Sequence, residues 1–318
     1  MKKLRIAVVG AGEFGRRHMR VVSRSERAEL AGVFDIDPAR AAAAAAEWGG
    51  TVFPNLEALA GKVDAAIVAT PTTAHVATAC ALINAGLDVL VEKPIAADLE
   101  SARRLVDAAR ANGRILQVGH LERFNPAVAA AGRIVRLPLF FEVHRLSPFT
   151  PRSLDVDVVL DLMIHDLDIV LSLVGSMPEE IRAAGISVLT PKVDIANVRL
   201  AFPGGCIANL TASRVSTERV RKLRIFQPRQ YISVDYARQE AFMLEVTQDH
   251  SIASNPMPVE KDEPLRLELE SFFECVVGRK PPVVGGEDAC RALEVALAIA
   301  GRIEDHAKVV ARTVGALR

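Results

Sequence analysis

The sequence carries no excess of either charge, few cysteines and no long hydrophobic run. Lysine plus arginine and aspartate plus glutamate each number 39, so the net charge is zero and general binding to a nucleic acid backbone is disfavoured. No segment approaches the roughly 18–20 apolar residues of a membrane span. The apolar residues 6–9 are too few for a signal sequence. We therefore expect a soluble cytoplasmic protein that binds neither nucleic acid nor a membrane.

The four cysteines lie far apart and lack the CxxC spacing of zinc sites, so neither a disulfide framework nor a metal site is expected. They are Cys80, Cys206, Cys275 and Cys290. Half of the 318 residues are hydrophobic and a quarter are charged, which excludes a disordered chain. At roughly 100–200 residues per domain, this length predicts two domains, which we place at residues 1–121 and 122–318.

The first third of the sequence alternates strands with helices. Short apolar runs that end at glycine or turn residues predict buried strands. Helices lie between them; one begins at Asp37-Pro38, with Asp37 as its cap. This alternation predicts a parallel, doubly wound Rossmann sheet, which binds ligands beyond the carboxyl ends of its strands. The predicted strands are Leu4–Val9, Glu29–Phe34, Val63–Ala69, Val89–Val91 and Ile115–Val118.

The rest of the sequence predicts an α+β domain with a large mixed or antiparallel sheet. Its strands follow one another with turns rather than helices between them. Helices are predicted over Val156–Val174, Glu263–Val277 and Glu287–Ala307. Polar and apolar residues alternate in the first strand, so one face of the sheet should be wet and the other packed. The predicted strands are Leu139–Leu146, Ile195–Phe202, Cys206–Ala212, Leu223–Phe226, Tyr231–Val234 and Phe242–Thr247.

Residues 10–15 have the pattern GxGxxG between a predicted strand and a predicted helix. The first glycine permits a tight turn, the second lets the backbone approach a pyrophosphate, and the third lets helix and strand pack closely. The helix N-terminus supplies N–H groups and positive potential for the phosphates. We expect the acidic side chain in this loop to point to solvent. The predicted cofactor contacts here are Gly10, Gly12, Glu13, Phe14 and Gly15.

Asp35 ends the second predicted strand, about 20 residues after the loop, where dinucleotide-binding folds carry an acid. Its carboxylate would accept hydrogen bonds from the adenosine ribose and would repel a 2′-phosphate, so NAD is favoured over NADP. Arg40 favours NADP, but it lies further from the strand end. The structural alternative is that the glycines only form a turn and Asp35 only caps it.

Glu92-Lys93-Pro94 follows a predicted strand at the carboxyl edge of the sheet. A lysine at that edge can polarise a hydroxyl or help its deprotonation, whereas most lysines on loops are simply solvated. Pro94 restricts Lys93 to extended backbone geometry. The position of Lys93, rather than its residue type, therefore makes it a candidate catalytic group.

Asp161 and His165 lie four residues apart on a predicted apolar helix, so both occupy one face. An acid beside an imidazole fixes its tautomer and raises its basicity, which suits a general base. A structural pair in a core helix is the alternative. A metal site with Asp166 is also conceivable, but no third ligand of suitable spacing is evident.

Together these segments resemble the Gfo/Idh/MocA family of oxidoreductases. The resemblance rests on GAGEFG at residues 10–15, ATPTTAH at 69–75, VEKP at 91–94 and DLMIH at 161–165, and the order and spacing cover essentially the whole chain. It implies a Rossmann domain, a C-terminal mixed sheet, and reversible hydride transfer between NAD(P) and a sugar or cyclitol carbon. It also implies that the cofactor is lined by Thr70, Pro71, His75, Glu92 and Lys93.

The same resemblance assigns catalysis to three side chains. Lys93 matches the family's catalytic lysine and would polarise the substrate hydroxyl. His165 would be the general base, and Asp161 would orient it or bind a substrate hydroxyl, in a substrate pocket opposite Lys93. Hydride transfer to NAD needs no metal.

Two segments that contain arginine are expected to border the substrate, GHLERFNP at 119–126 and HRLSPFTPR at 144–152. Arginine offers a fixed fork for phosphate or carboxylate, although any one arginine can instead pair with an acid such as Asp155 or Asp157. The segments resemble the branch of the family that oxidises nucleotide sugars, which implies the 3-hydroxyl of UDP-N-acetylglucosamine in a diamino-sugar or lipid A type pathway. The predicted substrate contacts are His120, Arg123, Phe124, Asn125, Arg145 and Arg152, with Lys93, Asp161 and His165.

Three alternatives remain open. The substrate can be myo-inositol or a free aldose, the reaction can run in the reductive direction, or the protein can be a non-catalytic NAD sensor. The Asp161/His165 pair favours a polyol and, with Lys93, counts against a sensor. Because the C-terminal sheet of this family commonly pairs with that of another subunit, a homodimer or homotetramer is expected.

Overall fold

The computed structural model describes residues 3–150 and 156–315. Contacts between residues divide the chain into two units. The first comprises residues 1–121 and 263–290, and the second comprises 122–262 and 291–318. The first break falls at 121/122, as in the sequence analysis, but residues 263–290, which the sequence analysis placed in the second domain, belong to the first unit.

The first unit contains a six-stranded sheet in which every pair of neighbours is parallel. Its order is β3-β2-β1-β4-β5-β6, the doubly wound arrangement that the alternating pattern predicts. The strands are β1 Leu4–Val9, β2 Ala28–Phe34, β3 Thr51–Val52, β4 Ala65–Val68, β5 Asp88–Glu92 and β6 Leu116–Gly119. The helices between them are α1 Glu13–Ser23, α2 Pro38–Trp48, α3 Thr72–Asn84 and α4 Leu99–Ala111. The strand order reverses between β1 and β4, so a switch point lies directly beyond β1.

Helix α7, Pro264–Gly278, belongs to the first unit because its apolar stripe shares a core with β1 and α1. Each large apolar side chain buried there contributes about 1.5–3 kcal/mol. Ion pairs at its surface, such as Arg27 with Glu274, contribute about 0–1 kcal/mol each. Apolar packing therefore decides where this helix belongs. The stripe consists of Leu265, Leu269, Phe272, Phe273 and Val276.

The second unit contains an eight-stranded sheet of order β14-β13-β12-β11-β7-β10-β9-β8. Only the pair β7 and β10 is parallel, and the other neighbours are antiparallel, so the predicted mixed sheet is confirmed. The first four strands are β7 Phe140–Leu146, β8 Glu180–Ile186, β9 Ile195–Ala201 and β10 Ile207–Ser213. The remaining four are β11 Val220–Gln227, β12 Gln230–Asp235, β13 Glu240–Val246 and β14 Ile252–Met257.

One face of this sheet is packed and the other is polar. Strand β9 turns Val198 and Leu200 into the core, while Asn197 and Arg199 point away and bond to side chains of β10. Three helices share the core: α5 Pro126–Ile134, α6 Ile164–Val174 and α8 Gly286–Gly315, the last of which begins in the first unit. Among the described residues, no helix is both long and apolar enough to cross a membrane.

The two strands of the large sheet that the sequence analysis missed are its edges, β8 and β14. Strand β14 contains Pro256, which lacks an N–H group and is tolerated only where a ladder is incomplete. Neither edge strand shows a clean alternation of buried and exposed residues. Their strand conformation is set by pairing with β9 and β13 rather than by their own pattern.

Candidate functional site

The glycine loop between β1 and α1 has a geometry that only glycine permits at two positions. Gly10 has a φ of +99°, and a side chain there would lie 2.5 Å from the Ala69 carbonyl oxygen. A side chain on Gly15 would lie 1.8 Å from the Gly10 carbonyl oxygen, which no rearrangement of side chains can relieve. At Gly12, by contrast, a side chain would meet nothing within 4 Å. The loop therefore presents bare backbone to open space at Gly12, as a bound pyrophosphate requires.

The N-terminus of α1 is suited to an anion. Gly12 is the N-cap and provides no side-chain oxygen, so the N–H groups of the first turn and the helix dipole remain available to a phosphate. Glu13 is exposed and forms an ion pair with Arg17, which partly neutralises its charge. The Arg17 guanidinium also lies 5.2 Å from the centre of the exposed Phe14 ring. The acidic residue in the loop thus points to solvent, as expected.

Asp35 lies at the end of β2 and bonds to the glycine loop. Its Oδ2 accepts a 2.6 Å hydrogen bond from the Ala11 N–H, and its Oδ1 accepts one of 2.9 Å from the Asp37 N–H. The carboxylate is half-buried, while the neighbouring Ile36 side chain is 91% exposed. Asp35 therefore supports the loop and still presents an acid beside it, and the glycine loop and α1 fit a bound dinucleotide.

His75 links the two loops that follow β4 and β5. It is 1% exposed, with ring nitrogens 2.9 Å from the Pro94 carbonyl oxygen and 2.8 Å from that of Thr70. Burial lowers the pKa of His75, although the two carbonyls offset part of that effect. The ring is buried, whereas Thr70 is half-buried with a buried hydroxyl and Pro71 is exposed.

Glu92 and Lys93 end β5 at the same sheet edge. The Oε1 of Glu92 is 2.7 Å from Nε2 of His18 on α1, and its Oε2 accepts a 3.3 Å hydrogen bond from the Lys93 N–H. Burial would raise the pKa of Glu92, but the His18 hydrogen bond and nearby positive groups lower it below its usual value. Lys93 is half-buried, and its charge is among those that lower the pKa of Glu92.

In the second unit, Asp161 and His165 lie at the join of two helical forms. Residues Val159–Met163 form one π-helical turn, in which the Ile164 N–H donates to the Val159 carbonyl oxygen five residues earlier, and α6 starts at Ile164. The prediction of one continuous α-helix was wrong here. The extra residue per turn changes the i, i+4 alignment assumed for Asp161 and His165. Single π turns are common at functional sites.

The Arg214 guanidinium donates to the Val156 carbonyl oxygen at 2.7 Å, and the start of the turn is also held by Asp157. Its Oδ1 accepts hydrogen bonds of 2.8 Å and 3.0 Å from the N–H groups of Val159 and Leu160. Asp155, the other acid considered as an arginine partner, lies outside the described residues, as does Arg152.

Arg145 is 3% exposed and lies in a buried ionic cluster. Its guanidinium donates to both oxygens of Asp166 at 2.6 Å and 2.9 Å and to Glu122 at 2.9 Å. The Tyr236 hydroxyl donates to Asp166 at 3.1 Å. Burial would lower the pKa of Arg145, but the Asp166 and Glu122 charges raise it well above its usual value. Arg145 thus pairs with acids, as the structural alternative anticipated, but with Asp166 and Glu122 rather than with Asp155 or Asp157.

Replacing Arg145 with methionine is expected to destabilise the protein by about 3–5 kcal/mol, because Asp166 would remain buried without its counter-charge and Glu122 would keep only Arg221, 3.8 Å away, as a positive partner. Urea unfolding measures this change. Arg182→Met is the matched control, since Arg182 pairs with Glu180 in an exposed position and its loss should change stability little. Equal effects of the two substitutions would show that the buried cluster adds nothing to stability.

The other predicted substrate residues near β6 have varied surroundings. Asn125 is buried, caps α5 through the Ala127 N–H, and donates to Glu122 and to the Tyr236 carbonyl. Phe124 and His120 are also buried. Arg123 is partly exposed, with Nη1 3.4 Å from Asp168. Only Arg123 in this segment keeps a partly accessible charged group.

Two buried titratable residues were missed in the sequence analysis, His18 and Glu268. Each lies on the buried stripe of its helix, three residues after Gly15 and after Leu265 respectively. The sequence does contain a signal for both: a titratable residue at a position where the helix is otherwise apolar is expected to be buried and to have a special role. The surroundings of these two residues include Glu92, which lies on a distant strand, so this proximity could not be inferred from spacing in the sequence.

A dinucleotide-binding oxidoreductase is the class of protein that the parallel sheet and the glycine loop at its switch point define. A family model described as an oxidoreductase family with an NAD-binding Rossmann fold matches residues 4–120, and one for the GFO/IDH/MocA C-terminal domain matches residues 129–232. The chain belongs to the Gfo/Idh/MocA family of NAD-binding oxidoreductases.

Known relatives match this chain to different extents. The UDP-N-acetylglucosamine 3-dehydrogenase of Acidithiobacillus ferrooxidans is 36% identical over 310 residues, covering 96% of this chain and 98% of that enzyme. Its solved structure superposes with a TM-score of 0.91 over 96% of this chain and 99% of that one. Inositol 2-dehydrogenase 2 of Saccharopolyspora erythraea is 36% identical over 183 residues, 54% of each chain. A putative myo-inositol dehydrogenase from Sinorhizobium meliloti shares the fold, with a TM-score of 0.80, 23% identity, and coverage of 95% of this chain and 98% of that one.

Proposed function

We propose that this enzyme oxidises the 3-hydroxyl of UDP-N-acetylglucosamine to a ketone with NAD as the hydride acceptor. The observation that carries the proposal is the similarity to the Acidithiobacillus enzyme, which extends over 96% of this chain and includes both units. The inositol dehydrogenases match a little over half of the chain at similar identity. A relative that is similar along the whole substrate domain is the better guide to the substrate.

In this proposal three side chains act on the reacting hydroxyl. His165 takes the hydroxyl proton as general base, Asp161 orients the imidazole or binds a sugar hydroxyl, and Lys93 stabilises the developing alkoxide. NAD, held by the glycine loop and Asp35, supplies the acceptor for the hydride. The partial exposure of Lys93, Asp161 and His165 supports these roles, since each can reach a ligand.

The predicted substrate contacts divide by accessibility. Arg123 is partly exposed and is proposed to contact the substrate's phosphates. The buried residues His120, Phe124, Asn125 and Arg145 are proposed to support the site from beneath. Arg152 stays in the proposal on sequence grounds alone.

NAD rather than NADP is proposed as the cofactor because Asp35 places a carboxylate beside the loop. Replacing Asp35 with serine is expected to weaken NAD binding about tenfold and to improve use of NADP relative to NAD, since hydrogen bonds to a charged group contribute about 1.5–3 kcal/mol. Ratios of kcat/KM for the two cofactors measure the change.

Asp35→Asn distinguishes the effect of the negative charge from the effect of supporting the loop. Asparagine loses the charge but keeps an oxygen that can accept the hydrogen bond from the Ala11 N–H. A gain in NADP use by both variants would assign selectivity to the negative charge. If neither variant changed the ratio, Asp35 would have only a structural role.

The assay that tests the proposed substrate mixes the enzyme with NAD and UDP-N-acetylglucosamine and follows NADH absorbance. A 3-ketosugar aminotransferase with its amino donor removes the ketone and pulls the equilibrium. UDP-glucose and myo-inositol run in parallel. The expected result is NADH formation with the acetamido nucleotide sugar alone. Formation with myo-inositol alone, or none with any substrate while NAD binds, would reject the proposed substrate.

We also propose that the enzyme is a homodimer or homotetramer formed through the face of the large sheet that lies opposite its packed face, where polar residues on β9 and β10 give way to aromatic ones on β7 and β11–β13. A row of four rings crosses that face on neighbouring strands, with centroids 5.0–5.8 Å apart: Phe140, Phe226, Tyr231 and Phe242. Phe226 and Phe242 remain 37% and 40% exposed. Light scattering coupled to size exclusion measures the oligomeric state, and a monomer at micromolar concentration would contradict it.

A further inference from the structure

Strand β7 carries a charged residue on its packed face. Buried and half-buried residues alternate along the strand, and Arg145 takes the buried place that follows Phe141 and Val143. Two nitrogens of its guanidinium donate to the two carboxylate oxygens of Asp166 on α6, at 2.6 Å and 2.9 Å. Such a two-pronged pair fixes direction as well as distance. We call Arg145 and Asp166 the α6 anchor, because they tie one residue of the helix to one point of the sheet.

Two further groups complete the hydrogen bonding of the α6 anchor. The Tyr236 hydroxyl donates to Oδ1 of Asp166 at 3.1 Å, and the Arg145 guanidinium donates to Glu122 at 2.9 Å. The same guanidinium lies 5.1 Å from the centre of the Tyr236 ring. Turning α6 by one residue would take Asp166 away from these partners and leave a buried carboxylate without its hydrogen bonds, which is costly.

Apolar packing by itself does not select one rotation of α6. The six consecutive residues 166–171 are buried, and no residue of Ile164–Val174 is exposed. Since a helix turns once in about 3.6 residues, buried side chains surround α6 on every side. A helix that is apolar nearly all round has no single face that must point to the core.

The directional contacts of α6 therefore come from its acids. Asp168 lies 3.4 Å from Arg123, which is partly exposed. The contacts of Asp166 with Arg145 are shorter than this one, and both partners are buried. The α6 anchor is thus the contact that best defines how the helix is rotated.

The π turn lies between two fixed points of the chain. Before it, Asp157 caps the first N–H groups of the turn, and the Val158 N–H donates to the Val193 carbonyl oxygen at 3.1 Å. After it, the α6 anchor holds Asp166. A π turn contains one residue more than an α-helical turn, so its loss would rotate every later residue by roughly 100° relative to the chain before it. His165, the residue before Asp166, would rotate with them.

We propose that Arg145 and Asp166 are positioning residues for His165: the pair fixes the rotation of α6, retains the π turn and so sets the direction in which His165 points. The inference rests on the proposed role of His165 as general base. It gives Arg145, a predicted substrate contact, a role that acts through Asp166 instead of through the substrate. A buried ion pair adds little to stability compared with two apolar residues, but it can specify a single structure.

The first test removes the α6 anchor without leaving a buried charge. The charge-free variant, Glu122→Gln/Arg145→Met/Asp166→Leu/Tyr236→Phe, should stay folded in urea unfolding, unlike Arg145→Met alone, because no carboxylate loses its counter-charge. Repacked apolar cores lose a unique structure before they lose stability. We therefore expect broadened signals, or more than one set, from the His165 ring in NMR spectra of histidine-labelled protein without substrate. Wild type should give one set, which is assigned by its absence in His165→Gln.

The matched control is Glu142→Gln/Arg224→Met. It removes an ion pair of 2.8 Å that involves the same strand but a residue outside its packed face. Its His165 signals should match those of wild type. A single set of His165 signals at the wild-type position in the folded charge-free variant would overturn the positioning role.

Arg145→Lys decides the question if the charge-free variant does not fold. Lysine keeps a positive charge for Asp166 and Glu122 but is a point charge instead of a planar fork, so it cannot hold both oxygens of Asp166 in one direction. Shifted or split His165 signals are expected. Signals that match wild type in number and position would contradict the proposal.

Turnover connects the rotation of α6 to the reaction. Where a sugar is oxidised, the charge-free variant and Arg145→Lys should each lower kcat, the former by about 10²-fold, because small misplacements of a catalytic group cost that much. The KM for NAD should stay unchanged, since the glycine loop belongs to the first unit. Altered His165 signals with a wild-type kcat would overturn the positioning role. Failure of every sugar in the assay would instead reject the proposed substrate and leave the NMR result valid.

Discussion

Replacing Lys93 with methionine is expected to lower kcat by about 10²–10⁴-fold while NAD still binds. Lys93 directly follows β5, and its backbone N–H donates to the Glu92 carboxylate. A positive group at this place stabilises the negative charge that develops on the substrate oxygen as its proton leaves, an effect worth several kcal/mol in a site shielded from water. Methionine keeps the unbranched chain up to the ammonium position and removes the charge.

Steady-state kinetics and a fluorescence titration with NADH distinguish a catalytic from a binding defect in Lys93→Met. Lys261→Met is the matched control, since Lys261 is exposed and pairs with Glu240 at the surface. The expected outcome is loss of turnover in Lys93→Met alone, with the same affinity for NADH in both. Turnover close to wild type in Lys93→Met would remove the lysine from the mechanism.

Replacing His165 with glutamine is expected to lower kcat by a similar factor, about 10²–10⁴-fold, and to change the pH profile. An imidazole accepts a proton only when neutral, so the wild-type rate should fall toward acid pH. Glutamine can keep a hydrogen bond but cannot take the proton, so this acid limb should disappear from the residual activity. Profiles of kcat/KM against pH measure both effects.

His250→Asn provides the control for His165→Gln. His250 lies on an exposed turn with a φ of +65°, a conformation that asparagine tolerates. Its substitution should leave the pH profile as in wild type. An acid limb that persists unchanged in His165→Gln would assign the proton transfer to another group, with Asp161 the next to be replaced.

Most of the first unit could be predicted because its signals are local. Strand β1 was predicted with its observed bounds, Leu4–Val9, because it is a short apolar run that ends at glycine. The two-residue, exposed strand β3, Thr51–Val52, has no such signal and was missed. Asp37 caps α2 through the N–H groups of Ala39 and Arg40, as the sequence indicates. The signal for the glycine loop is also local, since the strand, the glycines, the helix and Asp35 all lie within the first 35 residues.

What could not be predicted depends on contacts between distant segments. The edge strands β8 and β14 owe their conformation to their neighbours, and the π turn at Val159–Met163 has no local marker in the sequence. In the cluster around Arg145, Glu122 follows β6, Asp166 lies on α6, and Tyr236 follows β12. Sequence reasoning named Arg145 but suggested Asp155 or Asp157 as acidic partners of the arginines, and it could not decide between a bound ligand and such partners.

The return of α7 to the first unit has a consequence for how the chain is made. During synthesis the six parallel strands are complete once residue 119 has emerged, but the helix that covers part of their core follows about 150 residues later. At roughly 5–20 residues per second, the ribosome needs on the order of ten to thirty seconds to deliver it. Until then, the apolar surface that buries Leu269 and Phe272 in the folded protein has no helix to cover it, so we expect the nascent first unit to expose a surface that a chaperone can bind.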